Sequence, residues 1–265
     1  MKIVVINLEH AVERRDRVTA ALDRLGLAFE LFPAVDGRHL NPGQEALIDY
    51  AALDRQGWPM RAGALGNWIS HRTILADMID NGPEAMAILE DDIEPAPELP
   101  AVLDTLERSA GSYDIVFLNR GRAVRRFIPH RQLDTGHRLG WLRWSHFGTQ
   151  GYVITRPAAR RFLETFPRVR MNIDRSLAAY WRTGLATYCI RPPVVRHLLF
   201  DDGNDSMIQA TRAVGPTDAL FRMRRRWFFF REGLAKRAAL TRLAVNAHGP
   251  VRGLRTLLGP GGSTS

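Results

Sequence analysis

The first 35 residues constrain the fold more than any other stretch. Ile3–Leu8 (IVVINL) is short, apolar and rich in β-branched residues, the signature of a buried strand. From Val12 to Leu25 the apolar positions Val18, Leu22 and Leu25 recur at helical spacing among charges, and Gly26 stands where such a helix would stop. Ala28–Val35 (AFELFPAV) reads as a second strand closed by an Asp36-Gly37 turn. A strand, a helix and a strand within so short a span form a βαβ unit, which requires a parallel strand pair and predicts an α/β fold. Ligands of such sheets sit beyond the carboxyl ends of the strands. Here that edge carries Asn7, Leu8 and the arginines Arg14, Arg15 and Arg17.

The pattern continues down the chain. A helix is predicted from Gly66 to about Asn81, with Ile74, Leu75, Met78 and Ile79 on its inner face. Strands are predicted at Ala85–Asp91, Tyr113–Asn119 and His146–Thr155, the last entered through glycines. Arg156–Phe166 reads as a helix with proline near its start, where it is tolerated. Leu185–Val195 reads as a late strand broken by Pro192-Pro193. No internal repeat is visible. At 265 residues, 45% hydrophobic and 25% charged, the chain has ordinary globular composition. It has a single cysteine, Cys189, which favours a reducing compartment. The opening apolar run is too short for a secretory signal and no run is long enough to span a bilayer, so a cytoplasmic location is expected. The Arg- and Ala-rich composition suggests a bacterial source.

The predicted strand at Ala85 ends in four acids, Glu90, Asp91, Asp92 and Glu94. Strand-end acids are often simply solvated. Residues two apart on a strand point the same way, so Glu90 and Asp92 are expected to project together. Two converging carboxylates repel unless a cation lies between them, and a hard divalent ion takes one or two carboxylates with water and phosphate oxygens filling the rest. The pair is therefore a candidate bridge from protein through Mg²⁺ or Mn²⁺ to a diphosphate.

Six ordered segments then carry a resemblance: VINLEHAVERRDRV, FPAVDG, GALGNWISHR, AILEDDIE, GTQGYVITRPAARRFL and NIDRSL. Together they make the chain, over about Met1 to Ser206, similar to glycosyltransferase family 25, which includes bacterial lipooligosaccharide glycosyltransferases and collagen galactosyltransferases. Asn67 stands where bacterial members often have cysteine, and NIDRSL departs from a more usual Pro-hydrophobic-Asp start.

The resemblance implies a GT-A fold with a mostly parallel central sheet flanked by helices. It also implies transfer of a hexose, typically galactose, from a UDP-sugar to a saccharide acceptor of lipopolysaccharide or another glycoconjugate, with inversion. The acid-x-acid pair would hold the metal on the donor diphosphate through Glu90 and Asp92, and His197 is a candidate third ligand, although a core-facing or solvated histidine is the more ordinary reading.

Inversion requires a base for the acceptor hydroxyl. Asp174 is the first candidate, against the plain alternative of a helix cap or an ion pair with Arg175. Asp91 is the second, and also a donor-site candidate with Glu90. Ser70 and His71 match the family and are candidate donor-site or structural residues, since a helix histidine next to Ile74 and Leu75 is by itself more readily a packed one. Arg14 is a candidate phosphate contact unless merely solvated. Asn7 and Leu8 are placed to touch the nucleoside, Asp36 and Gly37 to turn beside the donor. Gly148, Gln150 and Gly151 would allow close backbone approach on the acceptor side.

The net charge is +9, yet Asp218 to Leu258 holds ten arginines and lysines against two acids, so the body is near neutral. Within this arm Leu220, Met223, Trp227, Phe230, Leu234 and Ala238 form a helical stripe among arginines. A basic amphipathic helix suits an anionic membrane surface, as would serve an enzyme acting on a lipid-linked acceptor at the cytoplasmic face of an inner membrane. Packing of the same helix on the body is the alternative. A nucleic-acid binder is the rival reading of the arm, but the body has no basic excess and no recognition motif, so no nucleic acid is expected. An inactive scaffold is a further rival, opposed by the intact acids. The expected organisation is a transferase domain over 1–217, a basic helical extension over 218–258 and a disordered tail over 259–265.

Overall fold

The structure, a computed structural model, describes residues 1–58, 60–119, 127–142, 148–198 and 219–258. The boundary at 217, the 259–265 tail and the His146-Phe147 start of one predicted strand lie outside the described residues.

Ten strands are described: β1 (Lys2–Asn7), β2 (Glu30–Pro33), β3 (Ala85–Glu90), β4 (Ile93–Pro95), β5 (Ile115–Phe117), β6 (Phe127–Gln132), β7 (Arg138–Leu142), β8 (Gly151–Thr155), β9 (Thr187–Arg191) and β10 (Val195–His197). Eight form one sheet in the order β2-β1-β3-β8-β5-β9-β7-β6, and β4 pairs with β10 in a separate two-stranded ribbon. β1 lies parallel to both β2 and β3, as the opening βαβ unit requires, and β5 lies parallel to β9. β8 is antiparallel to β3 and β5, and β7 is antiparallel to β9 and β6. Six of the eight strands therefore run one way and β7 and β8 run against them, giving a mixed sheet with a parallel majority of strand directions. The sheet is α/β, as expected.

Both faces of the sheet are covered, which explains why β1 and β3 read as continuous apolar runs. Along β1, Val4 and Ile6 join one core while Ile3 and Val5 join the other; along β3, Met86 and Ile88 oppose Ala87 and Leu89 in the same way. Helix α4 (Ala62–Asn81), preceded by the short helices α2 (Pro42–Glu45) and α3 (Tyr50–Gln56), supplies Trp68, Ile74, Leu75 and Met78 to the first core, together with Phe162 of α6 (Arg156–Thr165). Helix α1 (Val12–Asp23) supplies Val18 and Leu22 to the second, with Leu99, Val102, Leu103 and Leu106 of α5 (Leu99–Arg108).

Helix α4 starts at Ala62, four residues before the predicted Gly66. Its first turn lies under the Asp36-Gly37 loop, where backbones cross so closely that a Cβ on Gly66 would lie 2.2 Å from the Val35 carbonyl oxygen. Glycine at this position is a contact requirement and not a helix start.

The predicted basic extension is observed as one long helix, Ala219–His248, followed by Pro250–Leu258. Phe228 and Phe229 pack on Trp58, whose ring centroid lies 6.1 and 5.4 Å from theirs. Further along, Leu240 and Ala244 are buried. Among the described residues no helix is long and apolar enough to cross a membrane.

Candidate active site

At the carboxyl end of β3 the chain bends. The strand stops at Glu90, and Asp91 and Asp92 form the turn into β4. Glu90 therefore parts from Asp91 and Asp92, which both face Arg14. Alternation still governs the first two, so Glu90 faces the α4 side and Asp91 the α1 side. The expectation that Glu90 and Asp92 project together is corrected, because the period-two rule holds only while the strand lasts.

Glu90 opens onto a cavity of about 120 Å³ that is also lined by Asn67, Thr149, Gln150 and Asp174. Asn67 Nδ2 donates to Glu90 Oε1 at 3.1 Å, and the Thr149 hydroxyl donates to the same oxygen. His71 is fully buried on α4, with Nδ1 2.9 Å from the Tyr152 hydroxyl and Nε2 3.9 Å from Glu90 Oε1. Burial opposes the charge on Glu90. The adjacent imidazole and the donors Thr149 and Asn67 outweigh it, so the carboxyl lies below its ordinary value. Burial, reinforced by the Glu90 charge, pushes the Tyr152 phenol well up, so it remains neutral.

Asp174 stands in the first turn of α7 (Ile173–Leu177). It does not cap that helix, because Asn172 occupies the N-cap position. Its Oδ2 accepts the Gly148 N–H at 3.0 Å and its Oδ1 accepts the Arg175 N–H at 2.8 Å. Gly148 has φ +102°, a conformation suited to glycine. Removal from water raises the Asp174 carboxyl, against the pull of these N–H groups and of Arg175, and the Glu90 charge raises it further. One cavity thus holds two carboxylates displaced in opposite directions by their surroundings.

The second cluster lies on the other side of the bend. Asp91 Oδ2 accepts from Asn7 Nδ2 at 2.7 Å, and Oδ1 lies 3.3 Å from Arg14 Nη1. Burial is the main cause raising Asp91, and Asp92 adds to it. Arg14 also reaches Asp92 Oδ2 at 3.6 Å, and His197 Nε2 lies 3.1 Å from that oxygen. His197 is brought there by the pairing of β10 with β4.

Among the described residues no three His, Cys, Asp or Glu side chains surround a point that could hold a metal. The predicted set divides: Glu90 stands in the cavity, Asp92 and His197 stand together beyond the bend. The pair itself fits a divalent ion. Asp92 Oδ1 is buried with no hydrogen-bond partner among the described residues, and an orphaned carboxylate oxygen beside an imidazole suits a cation that completes its shell with water and phosphate oxygens.

Other predicted residues have structural positions. Ser70 is buried; its hydroxyl accepts the Val35 N–H and donates to the Gly66 carbonyl, each at 2.8 Å, fixing the Asp36-Gly37 loop to α4. Asp36 accepts from Arg38, which holds its carboxyl far below the usual range, and Gly37 lies under Ala62, so neither lines the cavity. Leu8 follows β1 half-buried. Gln150 is buried and accepts from Asn119 Nδ2 at 2.6 Å, and Gly151 opens β8 against Leu89. Sequence reasoning missed the roles of Thr149, Tyr152 and Asn172. Thr149 and Tyr152 lie within the GTQGY segment, whose glycines drew the attention; Asn172 opens NIDRSL, and the sequence marks it only as a departure from the family's usual start, whereas its Oδ1 accepts from Trp58 Nε1 at 2.9 Å.

A family model described as glycosyltransferase family 25 (LPS biosynthesis protein) matches residues 1–177. A glycosyltransferase 25 family member of Aedes aegypti is 32% identical over 176 residues, covering 62% of this chain and 28% of that protein. Procollagen galactosyltransferase 1 of Danio rerio is 28% identical over 180 residues, covering 64% of this chain and 29% of its own length. The chain therefore spans less than a third of these two animal relatives. Among solved structures, a Drosophila β1,4-galactosyltransferase 7 variant bound to manganese, UDP-Gal and xylobiose aligns with TM-score 0.42 and 10% identity, over 84% of this chain and 79% of that one. On the match over residues 1–177, the chain belongs to glycosyltransferase family 25.

Proposed function

We propose that this chain is an inverting glycosyltransferase on a GT-A-type scaffold. It moves a hexose, with galactose the first choice, from a UDP-sugar to a hydroxyl of a saccharide acceptor in lipopolysaccharide or another glycoconjugate. In this reading it works in the cytoplasm, at the inner face of a membrane. The observation that carries the reading is the cavity in which Glu90 is held ionised while Asp174 is raised toward a useful basicity.

In a single displacement the acceptor oxygen attacks the anomeric carbon as the bond to the diphosphate oxygen breaks, the electron pair leaving with UDP. The acceptor proton passes to Asp174, whose raised carboxyl is a better base than an ordinary aspartate. Gly148 N–H and Arg175 N–H fix that carboxylate's orientation. Glu90, locked by Asn67 and Thr149, offers a fixed negative acceptor for sugar hydroxyls and stabilises positive charge developing at the anomeric carbon. Asp92 and His197 would hold a divalent ion, Mn²⁺ or Mg²⁺, which when bound neutralises charge on a departing diphosphate.

The test is the thermal midpoint against a panel of nucleotide sugars with and without Mn²⁺, followed by transfer assays on the donor that binds best. Ligand at about 100 Kd stabilises by about 2.7 kcal/mol, a readable shift. The expected result is a shift needing both a UDP-sugar and the metal, absent in Asp92→Ala, whose own midpoint stays close to wild type. An equal shift in Asp92→Ala would remove the metal role. No shift with any nucleotide would remove the transferase reading.

A further inference from the structure

The long C-terminal helix has two working faces. Its inner face is bound to the body. Phe229 covers the Arg175 guanidinium at 5.0 Å, Glu232 accepts from Trp181 Nε1 at 2.9 Å and from Arg182, and Lys236 is buried over Trp181. Its outer face carries Leu220, Met223, Trp227, Phe230 and Leu234, spaced by three and four and all exposed, Met223 at 61% and Trp227 at 60%. Trp227 and Phe230 stack on one another at 5.7 Å, covered by nothing else described. Packing on the body and an outward apolar stripe, which the sequence offered as alternatives, coexist on opposite faces.

The charges around the stripe select what covers it. At 100° per residue, Arg226 and Arg237 lie along one flank and Arg231 and Arg242 along the other, all exposed. The only acid among the described residues of this helix and the next, Glu232, is turned inward. Two copies meeting on this stripe would bring arginine flanks against arginine flanks. A nucleic acid would satisfy the arginines but leave Leu220, Met223 and Leu234 in water. An anionic lipid surface satisfies both, because acyl chains accept the stripe and headgroup phosphates accept the flanks.

We propose that the outer face of helix Ala219–His248 docks the protein on an anionic bilayer, lying in the interface plane with the Leu220–Leu234 stripe in the acyl boundary. The inner face of the same helix touches Arg175, next in sequence to Asp174, and Trp58, which bonds Asn172. Docking therefore places Trp58 and Arg175 about one helix diameter, roughly 10 Å, from lipid, with the cavity wall at Asn172 and Asp174 directly behind them. This gives the proposed transferase an acceptor class, a saccharide carried on a lipid. In that respect alone it rests on the transferase reading.

The experiment is co-sedimentation of the full chain with vesicles of phosphatidylcholine alone and of phosphatidylcholine with phosphatidylglycerol, at low and high salt. Wild type is compared with Trp227→Ser/Phe230→Ser and with Arg226→Gln/Arg231→Gln. Expected is binding that requires the anionic lipid and weakens with salt. Each lost arginine should reduce it roughly fivefold, about 25-fold for the pair, and the aromatic variant should lose it. In both variants the shift with UDP-sugar and Mn²⁺ should persist, so failure of docking is distinguishable from failure of the transferase reading. The proposal is overturned by absence of vesicle binding, by equal binding to neutral vesicles, or by vesicle binding unchanged in both variants. A dimer that Trp227→Ser/Phe230→Ser converts to monomer, with no vesicle binding, would reassign the face to a second copy. Nucleic-acid binding without vesicle binding would overturn it equally.

Discussion

Glu90 and Asp174 share one cavity, and their surroundings, not their residue type, separate their roles. Asp174→Asn keeps the shape and one of the two backbone contacts, turns its NH2 toward the other N–H, and removes the proton acceptor. Transfer should fall by about 10² to 10⁴ in kcat, with the UDP-sugar and Mn²⁺ midpoint shift retained; a kcat within tenfold of wild type would place the base elsewhere. Only the ionised carboxylate accepts a proton, and the Asp174 carboxyl is raised. The acid limb of kcat/KM should therefore lie above the ordinary carboxylate range, with activity rising as pH rises through it. Lys236 makes a second prediction. Burial, helped by the Arg175 charge, lowers it from 10.5 to about 7. Between about 7 and 10.5 the unfolded chain binds more protons than the folded one, so this residue makes stability increase with pH across that window, and below it the burial cost is felt in full. Lys236→Met should raise the midpoint at neutral and lower pH, by roughly 2–4 °C per kcal/mol recovered, and flatten that rise. An unchanged midpoint-against-pH curve would contradict it.

Among the elements, β3 and its bend decide the site. The sequence marked the strand and its acids correctly, but a strand's alternation cannot say where the strand stops. That depended on β4 pairing with β10, a long-range event that also delivers His197. The hairpin β6–β7 at the sheet edge went unread, since its first strand is polar and contains Pro129, tolerated at an edge. Helix α4 illustrates the opposite case, a glycine legible in sequence for a reason that was not. Alanine usually gains about 1 kcal/mol over glycine in a helix. Gly66→Ala should nevertheless destabilise by about 1–3 kcal/mol in urea unfolding, because the new Cβ would meet the Val35 oxygen and the Gly37 nitrogen. A gain in stability would show that the Asp36-Gly37 loop can move aside.

Across the whole molecule, the C-terminal helix joins the sheet's first core to the cavity wall. Phe228 and Phe229 cover Trp58, Trp58 holds Asn172, and Arg175 stands against both Trp58 and Phe229, 4.8 and 5.0 Å from their rings. Phe228→Ala/Phe229→Ala should cost about 2–5 kcal/mol in stability, and lower transfer because the segment carrying Asp174 loses its support. Full activity in a variant whose helix has become protease-sensitive would separate the two.

The chain alone determined the α/β class, the order of most central elements and the acids after β3, because buried strands and amphipathic helices write their periods locally. The ordered segments from VINLEH to NIDRSL likewise carried the resemblance to the family. Tertiary structure decided which acids meet. Asp174 reaches Glu90's cavity from 84 residues away, Asp92 meets His197 through a strand pairing, and Asp91 turns to Asn7 and Arg14. It also decided that the basic helix packs with one face and presents the other. A period of 3.6 shows that a helix has a stripe; only the packed body shows which stripe is left for something else to cover.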